Sequence, residues 1–268
     1  MLEKLKLDGR AIVVTGSGRG LGKAMAKALA NAGASVICSA RTQEQIDQTV
    51  AEIQGDGGTA IAHQCDVTDS SAVNMMVDRC VDEYGKIDVM VANAGGGGVS
   101  GDWKFWEYPD DAFETVLATN LKSNFYCSRA AAAQMVSRGE GGVIIHTASG
   151  TALRGNRSFA YPTAKGGQIS LTKSTATMLA PENIRVNTII PGFVSQAPAE
   201  NEQEEQIRHQ RGIRIPVRRL GQWWELGPLA VYLASDASSY VTGQSFIIDG
   251  GGLAGGLGPV DFVPDFAG

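Results

Sequence analysis

The stretch VVTGSGRGLGKAMA, Val13 to Ala26, passes from β-branched residues through glycines at 16, 18, 20 and 22 into an Ala-rich helical pattern. That order implies a strand, a tight glycine turn and a helix N-terminus. Glycine lets the backbone approach a diphosphate, and the first helical amides with their dipole favour an anion there. The spacing is Thr15-Gly16-x-x-x-Gly20-x-Gly22 rather than GxGxxG, since Leu21 stands where a third glycine would fall. Such a turn alone also serves as an ordinary strand-helix connection, so its meaning depends on the rest of the chain.

Outward from this turn, short apolar runs recur: 11–15, 35–39, 59–64, 87–92, 142–147, 185–190 and 245–249. Between the first six lie helix-length segments, one closed by Gly33 and another, SSAVNMMVDRCVDEYG, with apolar residues three and four apart. Continuous apolar strands alternating with helices predict a parallel sheet covered on both faces. Right-handed crossovers then give an α/β, Rossmann-like, doubly wound parallel seven-stranded sheet. Residues 1–252 read as one dinucleotide-binding and catalytic domain. The segment 191–221 breaks the rhythm and is the expected substrate lid, and 253–268 forms a C-terminal tail.

The bulk numbers fit one large domain. The chain has 268 residues, 43% of them hydrophobic, and a net charge of -5. Arg208, Arg211, Arg214, Arg218 and Arg219 follow the acidic Glu200 to Glu205 segment, which reads as a solvated helix and loop rather than a nucleic-acid surface. The four cysteines, Cys38, Cys65, Cys80 and Cys127, lack CxxC spacing and read as buried free thiols of a cytoplasmic protein. No signal peptide or run of about 18 apolar residues is present, so no membrane partner is expected. His63, His146 and His209 lie apart and lack ligand spacing, which argues against a metal; His146 sits inside an apolar run as a core histidine.

In order along the chain, the motifs resemble the single-domain short-chain dehydrogenase/reductase family from about Leu7 to Gly251. The glycine turn matches Thr15 to Gly22, the Asp-Val pair Asp66-Val67, and Asn-Ala-Gly Asn93-Ala94-Gly95. The helix asparagine matches Asn120, the serine Ser149, Tyr-x-x-x-Lys Tyr161 and Lys165, Pro-Gly Pro191-Gly192, and the terminal Asp-Gly-Gly Asp249-Gly250-Gly251. Two departures stand out. The Ser149 to Tyr161 separation is one residue shorter than usual, and Gln196 takes the place of a threonine that often follows Pro-Gly. The resemblance implies Asn120, Ser149, Tyr161 and Lys165 as the catalytic tetrad. It implies dinucleotide contacts at Gly16, Arg19, Gly20, Leu21, Arg41, Asp66, Val67, Asn93, Gly95, Tyr161, Lys165, Pro191, Gly192 and Val194.

Tyr161 and Lys165, four apart on one helix, share a face. A free phenol titrates near ~10, and a nearby ammonium favours its anion, so Tyr161 is expected to trade protons with a carbonyl or alcohol. The resemblance adds that Lys165 holds ribose hydroxyls, Ser149 bonds the substrate oxygen, and Asn120 positions a water in a proton relay. At the end of the second strand no acid stands where NAD sites carry one; Arg41, with Arg19, favours NADP(H), with NAD(H) the alternative.

The expected substrate is a secondary alcohol/ketone pair of polyol, sugar-type or cyclic-ketone kind. A 3-oxoacyl-[acyl-carrier-protein] reductase is the enzyme alternative, and a dinucleotide-sensing protein without turnover the non-enzyme one. Trp103, Phe105 and Trp106 either stack on a substrate ring or pack their loop down; Arg154 and Arg157 either attract an anion or are solvated. The family is commonly tetrameric, so a homotetramer or dimer is expected, with the apolar tail docked on a neighbouring subunit.

Overall fold

Every residue of the first strand, β1 (Ala11–Thr15), is buried, and its side chains alternate between two cores. Ile12 and Val14 join Met25, Leu29, Val36, Ile46 and Leu233 on one face. Ala11 and Val13 join Met76, Cys80, Met90, Cys127 and Ile144 on the other. This two-faced burial is what a strand without polar alternation demands. Each such Val, Ile or Leu withdrawn from water contributes about 1.5–3 kcal/mol. The structure, a computed structural model, describes residues 2–97, 101, 103–154 and 158–257.

Chain order builds the rest. After β1 come α1 (Gly20–Asn31), β2 (Ser35–Ala40), α2 (Gln43–Gly55), β3 (Thr59–Gln64), α3 (Ser70–Tyr84) and β4 (Val89–Ala92). Then follow α4 (Asp110–Leu117), a π-helical turn (Ala118–Lys122), α5 (Ser123–Arg138), β5 (Gly142–Thr147) and α6 (Ala160–Leu179). β6 (Ile184–Pro191), α7 (Glu202–Gly212), α8 (Gly227–Ala234) and β7 (Ser245–Ile248) complete it. All seven strands pair in parallel in the order β3-β2-β1-β4-β5-β6-β7. The chain thus winds outward from β1 in one direction and from β4 in the other, leaving a crevice at their C-terminal ends.

Local chemistry sets the ends of these elements. The Asp69 carboxylate accepts from Ser71 N and caps α3, and Gly85 ends it at φ +76. The apolar run at 87–92 forms β4 from Val89, and Asp88 just before it is a buried anchor whose backbone also bonds Ala11 O and Val143 N. Its carboxylate accepts from Ala11 N at 2.8 Å and pairs with Lys86 and Arg138 at 3.1 and 3.0 Å. The segment 191–221 carries α7, and two of the arginines expected to be solvated are paired: Arg208 with Glu204 at 2.5 Å and Arg219, past α7, with Glu225 at 2.8 Å. Residues 258–268, most of the tail, lie outside the described residues, as does Arg157. Leu253 packs back near Gly150 of its own domain, 3.8 Å from where a Cβ there would stand. All four cysteines are free and buried, and burial pushes the Cys38 and Cys127 thiols up to about 12.

Candidate active site

The glycine turn and the β4 loop are bolted together. Thr15 Oγ1 accepts from the backbone N–H groups of Asn93 and Ala94, both at 3.0 Å, and Asn93 Nδ2 donates to Thr15 O at 2.9 Å. The Asn93 side chain, expected at the dinucleotide, is therefore a strut beneath the turn. A Cβ on Gly22 would run into the Gly16 carbonyl and the Asn93 amide, so only glycine fits there. Gly20 opens α1 at φ +56, and Gln196 of the segment after β6 lies where its Cβ would point. The cradle so formed, backbone amides without side chains at a helix start, fits the diphosphate of a dinucleotide.

Gly95 lies between two members of the expected tetrad. A Cβ on it would stand 2.8 Å from Asn120 Oδ1 and 3.2 Å from Lys165 Nζ. Asn120 sits in the π-helical turn, almost fully buried; its Oδ1 accepts from Gly96 N and its Nδ2 donates to Val116 O, both at 3.1 Å. π-turns are frequent at functional sites because one extra residue turns a side chain out of register. Lys165 Nζ donates to the Thr147 carbonyl at 2.7 Å and lies 5.7 Å from the Tyr161 ring centre. Ser149, just past β5, accepts from Thr151 Oγ1 at 3.0 Å, and its hydroxyl lies close enough to Tyr161 to oppose the upward shift of the phenol. The four side chains come together above β4 and β5.

Their electrostatics differ from the sequence expectation in one respect. Burial pulls Lys165 down to about 7, so near neutral pH its ammonium is only partly populated. Burial pushes the Tyr161 phenol above its ordinary value, opposed by the nearby Ser149 hydroxyl.

The remaining expected contacts divide by place. Arg19 caps α1 in extended geometry and Arg41 lies exposed past β2, with Ala40 and Gln45 close to Gly18. Asp66 is held below the usual carboxylate range, first by Thr68 N and also by the Arg41 charge. Val67 is buried, Leu21 half-buried in α1, and Pro191 ends β6. Gly192 presses on Asp249, and Val194 pairs with Gly221 to root the 191–221 segment. Ser195, beside Gln196, donates to Gly221 O at 3.1 Å and serves that root.

On the substrate side the rings pack on one another. Phe159, two residues before Tyr161, meets Tyr108 at 4.7 Å and Phe105 at 4.8 Å, and Trp103 meets Tyr108 at 5.3 Å. Phe105 and Trp106 nonetheless remain 72% and 77% exposed. Arg154 stacks over Phe193 at 5.1 Å on the facing loop. A separate cleft of about 350 Å³, lined by Ser195, Arg208, Arg219 and Trp223 among others, lies under α7 and holds none of the tetrad. Phe159 and Thr147 were missed from sequence: one carries no reactive group, and the other acts through its backbone.

Residues 16–252 match the family described as Enoyl-(Acyl carrier protein) reductase. The chain belongs to the short-chain dehydrogenase/reductase family. It is 35% identical over 252 residues to the 7alpha-hydroxysteroid dehydrogenase of Escherichia coli (strain K12), covering 94% of this chain and 97% of that one. It is 36% identical over 248 residues to the L-rhamnose 1-dehydrogenase (NAD(P)(+)) of Sphingomonas sp. (strain SKA58), covering 91% and 96%. A solved short-chain dehydrogenase/reductase from Mycobacterium marinum superposes with a TM-score of 0.84 at 37% identity, covering 93% and 97%. Like its relatives, this short-chain dehydrogenase/reductase is an oxidoreductase acting on CH–OH groups with a nicotinamide dinucleotide. Among the described residues no helix is long and apolar enough to cross a membrane, and no cluster of metal-ligating side chains occurs.

Proposed function

We propose that this enzyme interconverts a secondary alcohol and a ketone, prefers NADP(H), and uses Tyr161 as proton donor and acceptor. The observation that carries the reading is the Lys165 Nζ 5.7 Å from the Tyr161 ring centre, with Nζ and Asn120 Oδ1 converging on Gly95. The dinucleotide, when bound, supplies or accepts the hydride. Gly16, Gly20 and Leu21 would hold its diphosphate, Asp66 and Val67 its adenine, and Gly95, Pro191, Gly192 and Val194 would border its nicotinamide half. Arg41 and Arg19 would meet a 2′-phosphate, since guanidinium binds phosphate bidentately and no acid closes β2.

Ser149 would hold the carbonyl oxygen while the Tyr161 hydroxyl gives it a proton, leaving a tyrosinate that Lys165 neutralises. Lys165, titrating near 7, can lose a proton to Tyr161 and regain one at neutral pH, and Asn120 orders the path behind it. The raised phenol of the protein alone suits the reductive direction, in which Tyr161 must hold its proton until the oxygen develops charge.

Within the expected substrates, the ring wall favours a cyclic ketone over a polyol. A cluster of aromatic rings meeting edge to face close to Tyr161 rewards an alicyclic or aromatic ring, and one relative is named for a hydroxysteroid. Initial rates of NADPH and NADH oxidation with cyclic ketones, sugars and 3-oxoacyl thioesters, with Tyr161→Phe as control, test it. Turnover of cyclic ketones, faster with NADPH and lost in the variant, is expected. Turnover confined to thioesters would make the enzyme an acyl-carrier-type reductase. A homotetramer in the cytoplasm completes the proposal, to be checked by mass in solution and by fractionation. In it the tail from 253 docks on a neighbour; truncation after Gly252 should then change that mass or KM.

A further inference from the structure

We propose that His146 is a positioning residue for the tetrad: a buried cross-brace that fixes relative to one another three elements that bear or directly adjoin its members. This rests on the tetrad assignment above. His146 lies on β5, fully buried, beside Ala92 of β4 and Thr188 of β6 in the sheet register. Its Nε2 bonds Ser128 Oγ of α5 at 2.8 Å, and its Nδ1 bonds Thr172 Oγ1 of α6 at 2.7 Å. Thr172 in turn bonds Thr188 Oγ1 at 2.5 Å. One imidazole therefore ties α5, β5 and α6 together, and through Thr172 it reaches β6.

Each tied element bears or directly adjoins part of the site. Along α5 a ladder climbs from the brace: Ser128 Oγ donates to Asn124 O at 2.7 Å, and Asn124 Nδ2 donates to Asn120 O at 3.2 Å. Asn120 stands eight residues, about two turns, above Ser128. On α6, Thr172 lies seven residues, again about two turns, below Lys165. On β5 the next residue, Thr147, holds Lys165 Nζ through its carbonyl, and Ser149 follows two further on. A shift of either helix against β5 would change the Lys165–Thr147 contact directly.

The ladder fixes the tautomer. With the Ser128 proton given to Asn124 O, His146 Nε2–H donates to Ser128 Oγ and Nδ1 accepts from Thr172 Oγ1. An apolar residue at 146 would leave two buried hydroxyls facing it without that partner, whereas a shorter polar residue could reach only one helix. A core histidine kept for stability alone would have no need to join these three elements.

The test is the titration of Lys165 in the full-length protein, followed by NMR of 13Cε-labelled lysine, with its resonance assigned by loss in Lys165→Met. Ser128→Ala and Thr172→Val each cut one arm of the brace, His146→Gln alters both, and Thr172→Ser restores the hydroxyl. A displacement of the Lys165 midpoint by about half a unit or more in the two arm-cutting variants, reversed in Thr172→Ser, is expected. Because both arms act through one ring, Ser128→Ala with Thr172→Val should be less than additive. If thermal stability falls while the Lys165 midpoint stays where it is in the wild type, the brace is structural only and the proposal is overturned. An unchanged midpoint with unchanged stability overturns it as well. Should His146→Gln not fold, the single-arm variants decide. Failure of the tetrad itself would show separately, as undiminished turnover in Tyr161→Phe.

Discussion

Gln196 lies against Gly20 of the first helix, filling the place a side chain on Gly20 would take. The segment after β6 therefore touches the glycine turn. Gly22, two residues on, faces fixed neighbours instead: the Gly16 carbonyl and an Asn93 amide already bonded to Thr15 O. An alanine at 20 meets the movable end of a glutamine and a left-handed φ that costs about 1–2 kcal/mol. An alanine at 22 must displace backbone. Gly22→Ala should thus lower the melting temperature clearly more than Gly20→Ala, whereas Gly20→Ala should weaken NADPH binding with modest loss of stability. Thermal melts and fluorescence titration separate the two; equal melting temperatures would refute the rigid-turn account.

Tyr161→Phe removes one hydroxyl from a site whose other members keep their bonds: Lys165 to Thr147 O, and Ser149 to Thr151. Turnover should fall by about 10²-fold or more while NADPH affinity changes little. A matched loss of affinity would mean that the phenol binds more than it transfers.

Arg41 lies exposed at the end of β2, where its charge is already felt at Asp66. If its partner in the complex is a 2′-phosphate, Arg41→Ala should weaken NADPH binding about tenfold or more and leave NADH within twofold. Calorimetric titration with both dinucleotides checks this. Equal weakening of both would place Arg41 on the shared part of the molecule.

The sheet was legible because its central strands are buried on both faces, so Ala11 to Thr15 and Gly142 to Thr147 read as largely apolar runs, while Thr59 to Gln64 at the sheet edge is only partly buried. The boundary at 87–89 was not, since Asp88 looks like a strand residue until its buried ion pairs are seen. The site was legible where side-chain chemistry has a fixed spacing, as for Tyr161 and Lys165. It was hidden where backbone or space does the work. The Thr147 carbonyl leaves no mark in a sequence, and the wall around Phe159 joins rings from 103 to 159 that only the fold brings together. The strut role of Asn93 was hidden too, because an amide motif does not say which way its side chain turns.

His146 supplies an acid-side signature. Burial, with a smaller contribution from the Lys165 charge, lowers it from 6.5 to about 4. Between those values the unfolded chain binds a proton that the folded protein refuses, so stability rises with pH across that window and the contribution is fully lost below it. The difference is on the order of 3 kcal/mol for a fully buried ring. His146→Gln does not titrate there, so the wild type should lose stability relative to the variant as pH falls from about 6.5 to 4. Urea denaturation of both proteins at half-unit steps measures it. Parallel curves would mean that the imidazole takes up its proton as readily in the folded state, which the closed pair of hydroxyls at Ser128 and Thr172 argues against.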